Sequence, residues 1–266
     1  MDTLDWQDSS LLEKHDRAGY TVVEALTTAT FTERPRSSSS HARPGAYVCV
    51  DGKTYWLKGN AQQGLVAELI TGRLAAAVGA GPPARIIRLT EDALDPNQPE
   101  HHLLGVVMGS EDRPGTVNAR DLAALHAAGT VQPGLVNPGT RALVVAFQTW
   151  LGLGDVQVLV GMTDGRVFSI DHGECFGNIT HPAAAPTPMI TDIPGVGPDV
   201  GRQAAYVAPA LAKIQQVTDD EILRAVTQIP SGDAWRSPAN RRLAIGRWVA
   251  ERRDAMQGAM RSWMIP

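Results

Sequence analysis

The apolar positions of this chain first follow strand-like runs and then helix-like spacing. Residues 10–18 are polar and predict a short helix. Tyr20 to Phe31 is rich in β-branched residues and predicts a strand. Arg34-Pro-Arg-Ser-Ser-Ser-Ser-His-Ala-Arg-Pro-Gly45 carries prolines and serines that exclude regular structure and mark a mobile loop. Ala46 to Val50 and Lys53 to Lys58 predict a hairpin, because Asp51-Gly52 between two β-prone runs is a strong turn signal. Leu65, Leu69, Leu74 and Val78 fall near helical spacing, with Gly79 placed to end the helix. Ala84 to Leu89 and Leu103 to Met108 predict two more strands.

Helical patterns follow over Arg120 to Ala128 and Arg141 to Leu151. A second hairpin is predicted from Val156–Val160 and Gly165–Ile170, with Thr163-Asp-Gly165 as its turn. Residues 181–198 hold five prolines and predict a loop. Helices are then expected over 200–216, 218–229 and 238–263. Thr218-Asp-Asp-Glu221 has the hydroxyl and carboxylate of a capping box. A strand-rich part thus precedes a mainly helical part with one internal hairpin, an α+β, two-lobed plan. The expected division is 1–108 and 109–266.

Composition narrows the class. With 266 residues, 43% of them apolar, the chain is long enough for two lobes around a cleft and too apolar for disorder. No run approaches the roughly 18 apolar residues of a membrane span, and the acidic start lacks the positive region of a secretory signal. Cys49 and Cys175 lie far apart and form no metal-ligand pair, which fits a cytoplasmic protein. A net charge of −4 gives no general attraction to nucleic acid. Arg241, Arg242, Arg247, Arg252, Arg253 and Arg261 mark a solvated face of the last helix, or else a basic face diluted by Glu251 and Asp254.

Three residues carry candidate chemistry. Lys58 ends a strand, Glu68 lies on the following helix, and Asp171 follows the apolar strand in Arg166-Val-Phe-Ser-Ile-Asp-His-Gly-Glu-Cys-Phe176. A strand lysine, a helix glutamate that holds it, and a late aspartate are what a kinase needs to hold ATP and Mg2+. The bland alternatives are a surface salt bridge for Lys58 and Glu68, and an ordinary turn aspartate for Asp171. His172 is expected to be structural.

Gly64-Leu-Val-Ala-Glu-Leu-Ile-Thr-Gly-Arg-Leu-Ala75 before a double proline resembles the HipA-like kinase family. So do Phe147-Gln-Thr-Trp-Leu-Gly152, the Ser-Ile-Asp-His-Gly-Glu-Cys-Phe segment, and the tail from Val217 to Arg253. The resemblance runs in order from about residue 20 to about 255. It implies a protein-kinase-like fold, ATP with Mg2+, and transfer to a serine or threonine of a protein substrate or of the chain itself. Some members are toxins, so an antitoxin partner is also implied.

Within that frame Lys58, Glu68 and Asp155 take the catalytic positions, with Asp155 as the base. Asp171 and Gln157 take the metal positions. Gln157 follows Asp155 by two residues where the family pattern has five, so Asp155 fills either the base or the ligand role, and a pseudokinase is the alternative. Ser37, Ser38, Ser39 and Ser40 stand where a loop covers the phosphates. They are expected to bind phosphate, to be self-phosphorylated, or to have no role. Val107 and Met108 would meet adenine at a hinge, although an ordinary strand end reads equally well. A small-molecule kinase is a third class.

Overall fold

The computed structural model describes residues 4–28, 46–59, 64–94, 104–132, 134–154, 156–177, 179, 187–193, 196–197 and 199–265. A short helix, α1 (Ser10–Asp16), precedes strands β1 (Val22–Thr28), β2 (Ala46–Cys49) and β3 (Thr54–Lys58). Helix α2 (Leu65–Val78) leads to β4 (Ala84–Leu89) and β5 (Gly105–Glu111). Then come β6 (Thr116–Asn118), α3 (Leu122–Ala127), α4 (Pro138–Leu151), β7 (Gln157–Gly161) and β8 (Val167–Ile170). Helices α5 (Ala204–Gln215), α6 (Asp219–Val226) and α7 (Ala239–Trp263) complete the chain.

The first five strands close into a barrel in the order β1-β2-β3-β5-β4. Closure comes from β1 pairing in parallel with β4, Val22 opposite Ile86, while the other pairs are antiparallel. Strand alternation sends Tyr47, Cys49, Tyr55, Leu57, Ile87 and Val107 into the barrel. The outer face of β4 and β5 is covered by α2, where Leu65 and Leu69 meet Ala84, Ile86 and Met108. The other side of α2 presents Ile70, Leu74 and Val78 to the core built around α4. Apolar on both sides, α2 is a helix between two cores and not a surface helix with one stripe.

Local signals account for several element ends. The Asp51-Gly52 hairpin forms as expected, Gly79 closes α2, and the Thr218–Glu221 capping box is present in full. Asn137 caps α4 through the Thr140 N–H, so that helix starts earlier than its apolar pattern suggested. Three expectations need correction. The strand placed at Leu103–Met108 runs over Gly105–Glu111, because Ser110 and Glu111 still pair with β3. The second hairpin gains β6 and becomes a three-stranded sheet, β6-β7-β8. The expected helix from Arg120 begins as a 3₁₀ turn, Ala119–Asp121, before α3. No helix among the described residues is long and apolar enough to cross a membrane.

Candidate functional site

The pleat of β3 buries Tyr55 and Leu57, so Trp56 and Lys58 point outward, with Lys58 at the strand end beside α2. The start of α2 presents Glu68, which is 5% exposed. Asp171 follows the last residue of β8. The Lys58 ammonium donates to both Glu68 Oε1 and Asp171 Oδ1. Gln157, at the start of β7, donates its amide to Asp171 Oδ2 at 2.8 Å. The structure thus brings Lys58, Glu68, Asp171 and Gln157 together from four separate elements.

Electrostatics hold the cluster charged at its open end. Burial alone would lower the Lys58 ammonium, but the carboxylates of Glu68 and Asp171 outweigh it and hold its pKa above the usual value. Burial pushes Glu68 up against the pull of Lys58. At Asp171 burial also works upward, yet the Lys58 charge prevails and the carboxyl stays below the usual range. With all three ionised the cluster carries one surplus negative charge, which favours a cation beside Asp171.

Asp171 itself has φ 58°, the left-handed region that aspartate tolerates better than most residues. That turn swings the carboxylate out of the line of β8 and toward Lys58. Its neighbour His172 is buried, and its backbone N–H donates to Glu68. Its Nε2 lies 2.8 Å from Ser169 Oγ, which takes a bond from Gln148 Nε2 at 3.1 Å. Burial first, then the nearby Lys58 charge, pushes the imidazole down to about 3. His172 is therefore a neutral buried link between α4 and the cluster.

Gly64, with φ 92°, caps the start of α2 against Gly173; a Cβ there would overlap the Gly173 carbonyl. Gly64→Ala is expected to cost about 2–4 kcal/mol from overpacking and left-handed strain together. Urea denaturation measures it, and a midpoint equal to the parental one would show that the two loops are not in contact.

Other site expectations fall differently. Val107 points into the barrel, and Met108 is buried in β5, opposite both Lys58 and Ile86. Both lie inside a strand paired on two sides, with the strand end at Glu111. Asp155 and Ser37–Ser40 lie outside the described residues. Sequence reasoning did not single out the half-buried face formed by Gln157, Leu159, Phe168 and Ile170. Arg113 and Arg166 each place a guanidinium 5.5 Å from the Phe168 ring centroid. The alternation in β7 and β8 was the available signal, since both faces of that hairpin carry apolar residues. Two cavities, of about 270 and 260 Å³, lie away from this cluster.

No family model matches the sequence, and no curated protein does. Similar solved structures include the Golgi casein kinase, at 10% identity and TM-score 0.39, over 97% of this chain and 77% of that one. A Golgi casein kinase structure with Mn/ADP bound gives 10%, 0.40, 97% and 76%. The Helicobacter pylori proinflammatory kinase CtkA gives 10% identity and TM-score 0.44, over 89% of this chain and 97% of that one. These neighbours are kinases, but likenesses with TM-scores below 0.5 are too weak to assign an activity.

Proposed function

We propose that the chain is an ATP-dependent phosphotransferase of the protein-kinase type. The observation that carries this is the Lys58 ammonium held between a buried helix glutamate and a strand-end aspartate. Phosphoryl transfer needs little covalent work from a protein and much positioning and charge stabilisation. Lys58 would meet nucleotide phosphates while Glu68 holds it in place. Asp171 would share Mg2+ with phosphate oxygens and water, which suits an ion that takes one or two protein carboxylates. Among the described residues no group of three or more His, Cys, Asp or Glu side chains could hold a metal ion, so the ion would arrive with the nucleotide. Leu159, Phe168 and Ile170 offer an apolar surface for a flat base on the face that carries Gln157.

The finer reading is a HipA-like serine/threonine kinase, with the nucleotide between parts 1–108 and 109–266 and Asp155 as the base. It acts on a protein hydroxyl or on its own serines, and has an antitoxin partner. The sequence motifs alone support it. One observation favours the pseudokinase: the amide of Gln157 donates to Asp171 where a metal ligand would offer an oxygen.

Incubation with ATP and Mg2+, followed by intact-mass measurement and thermal unfolding, tests both readings. An active kinase gains one phosphoryl mass per transfer, or phosphorylates an added protein, and Asp171→Asn does neither. A pseudokinase shows only the nucleotide-dependent rise in Tm expected from mass action. With no Tm shift at millimolar nucleotide and no phosphoryl gain, the proposal fails.

A further inference from the structure

A line of buried polar side chains runs from the Lys58 cluster inward to α4. Gln148 Nε2 donates to Ser169 Oγ at 3.1 Å, and Ser169 Oγ lies 2.8 Å from His172 Nε2. The other ring nitrogen, His172 Nδ1, faces Glu68 Oε2 at 3.9 Å, while Glu68 Oε1 takes the Lys58 ammonium. Phe147 meets the imidazole edge to face, with centroids 5.9 Å apart. Ser169 is fully buried, so this serine, histidine and glutamate do not present a nucleophile. A neutral imidazole carries hydrogen on one nitrogen only. Because Gln148 donates to Ser169, the serine hydrogen is left to point at His172 Nε2, and the ring hydrogen falls on Nδ1. The reverse arrangement turns the Gln148 amide over, so that Ser169 donates to it and accepts from Nε2–H. The unpartnered Gln148 Oε1 favours that reversal. It would, however, set the Nδ1 lone pair against the Glu68 carboxylate. In a buried site the full charge outweighs one neutral amide oxygen, so Glu68 selects Nδ1–H.

We propose that His172 is a positioning residue for the Lys58–Glu68 pair, held by Ser169 and Gln148 as the Nδ1–H tautomer with that N–H turned toward Glu68 Oε2. The two oxygens of Glu68 are then divided, one for Lys58 and one for His172. The gap of 3.9 Å is longer than a hydrogen bond, so the ring acts by electrostatic attraction. The terminal torsion of a glutamate is broad, and attraction at both oxygens narrows it. Lys58 inherits that fixed direction. Without it the ammonium keeps its charge and still meets nucleotide phosphates, but its aim at the transferred group is lost. The effect on transfer rests on the phosphotransferase reading; the tautomer does not.

Nitrogen-15 NMR of the histidine rings at pH 7 reads the tautomer directly, and the signals missing from His172→Gln identify His172. The expected spectrum shows hydrogen on Nδ1 and none on Nε2. Hydrogen on Nε2, or on both nitrogens, overturns the proposal whatever the protein catalyses. Two variants then test the role in transfer. His172→Asn keeps an amide donor near the Nδ1 position and gives up Ser169. His172→Gln reaches Ser169 and has no donor near Nδ1. Positioning predicts that His172→Gln lowers kcat by about tenfold or more, with the KM for ATP within about threefold of the parent. His172→Asn should lose clearly less. A purely structural role predicts the opposite order, because asparagine leaves the larger cavity. With Nδ1–H present, His172→Gln as active as His172→Asn overturns the role in transfer. A parent that neither transfers phosphate nor binds nucleotide overturns the phosphotransferase reading instead, and the ring spectrum still decides how Glu68 is held.

Discussion

Lys58→Met is expected to abolish nucleotide-dependent phosphoryl transfer and to cost the fold about 3–5 kcal/mol, the usual result of removing one partner from a buried ion pair. The cost comes mainly from Glu68, whose side chain is 6% exposed, against 42% for Asp171. Water already screens Asp171, so its loss of a partner adds little. Glu68 would be left buried without its cation, and burial already raises its pKa. A carboxyl whose folded pKa lies above its unfolded value contributes stability that is lost as pH rises through the folded pKa. The deficit of the variant should therefore grow between pH 5 and pH 8. The double change Lys58→Met, Glu68→Gln removes the stranded charge and should recover most of the stability and none of the transfer. Urea denaturation at the two pH values, with intact-mass assay on the same samples, gives both readouts. A single variant as stable as the parent at pH 8 would mean that Glu68 is not held by Lys58.

What the sequence made legible follows from how far each signal reaches along the chain. The Asp51-Gly52 hairpin, the alternation that turns Lys58 outward, the α2 helix and the Thr218 capping box are all decided within a few residues. Lys58, Glu68 and Asp171 were found by order and spacing, and the structure brings them into contact. Barrel closure was hidden because it depends on Val22 finding Ile86, a parallel pairing that no local pattern encodes. Strand β6 was hidden because Thr116–Asn118 is short and half-buried on every residue. The Gln148–Ser169–His172 link was hidden because polar residues inside apolar runs give no sign of their partners.

The tail arginines were the least legible residues. A solvated face describes Arg261, which is exposed, but not most of the others. Arg242 pairs with Asp16, Arg247 with Glu251, and Arg253 with Asp219 and Asp254. Arg252 is 4% exposed. Charge alone predicts solvent, but a guanidinium can be buried where backbone carbonyls and an aromatic face receive it. The aromatic face, Trp248, lies on the same helix, but the carbonyls belong to α4, about a hundred residues earlier in the chain.

Arg252→Met is accordingly expected to destabilise the protein by about 3–5 kcal/mol, through two charge-assisted bonds lost inside the core. Arg252 Nε donates to the Trp150 carbonyl and a terminal nitrogen to the Thr149 carbonyl, both at 2.6 Å. Its guanidinium lies 4.6 Å from the Trp248 ring centroid. The two carbonyls belong to the last turn of α4, where Thr149 accepts only a long bond from the Gly152 N–H, 3.3 Å, and a cation is favoured by the helix dipole. Gly152, with φ 62°, ends the helix beside this guanidinium. The chain then runs through residues 153–156 into β7 and Gln157, so loosening the helix end should also disturb the partner of Asp171. Arg252→Lys keeps the charge but loses the fork and should fall between the parent and Arg252→Met. The three proteins should order the same way in urea midpoint and, under conditions where all remain folded, in phosphoryl transfer. If Arg252→Met matches the parent in urea, the buried cap on α4 does not exist. If stability falls while transfer in the folded fraction is untouched, the end of α4 does not position the Gln157 side of the cluster.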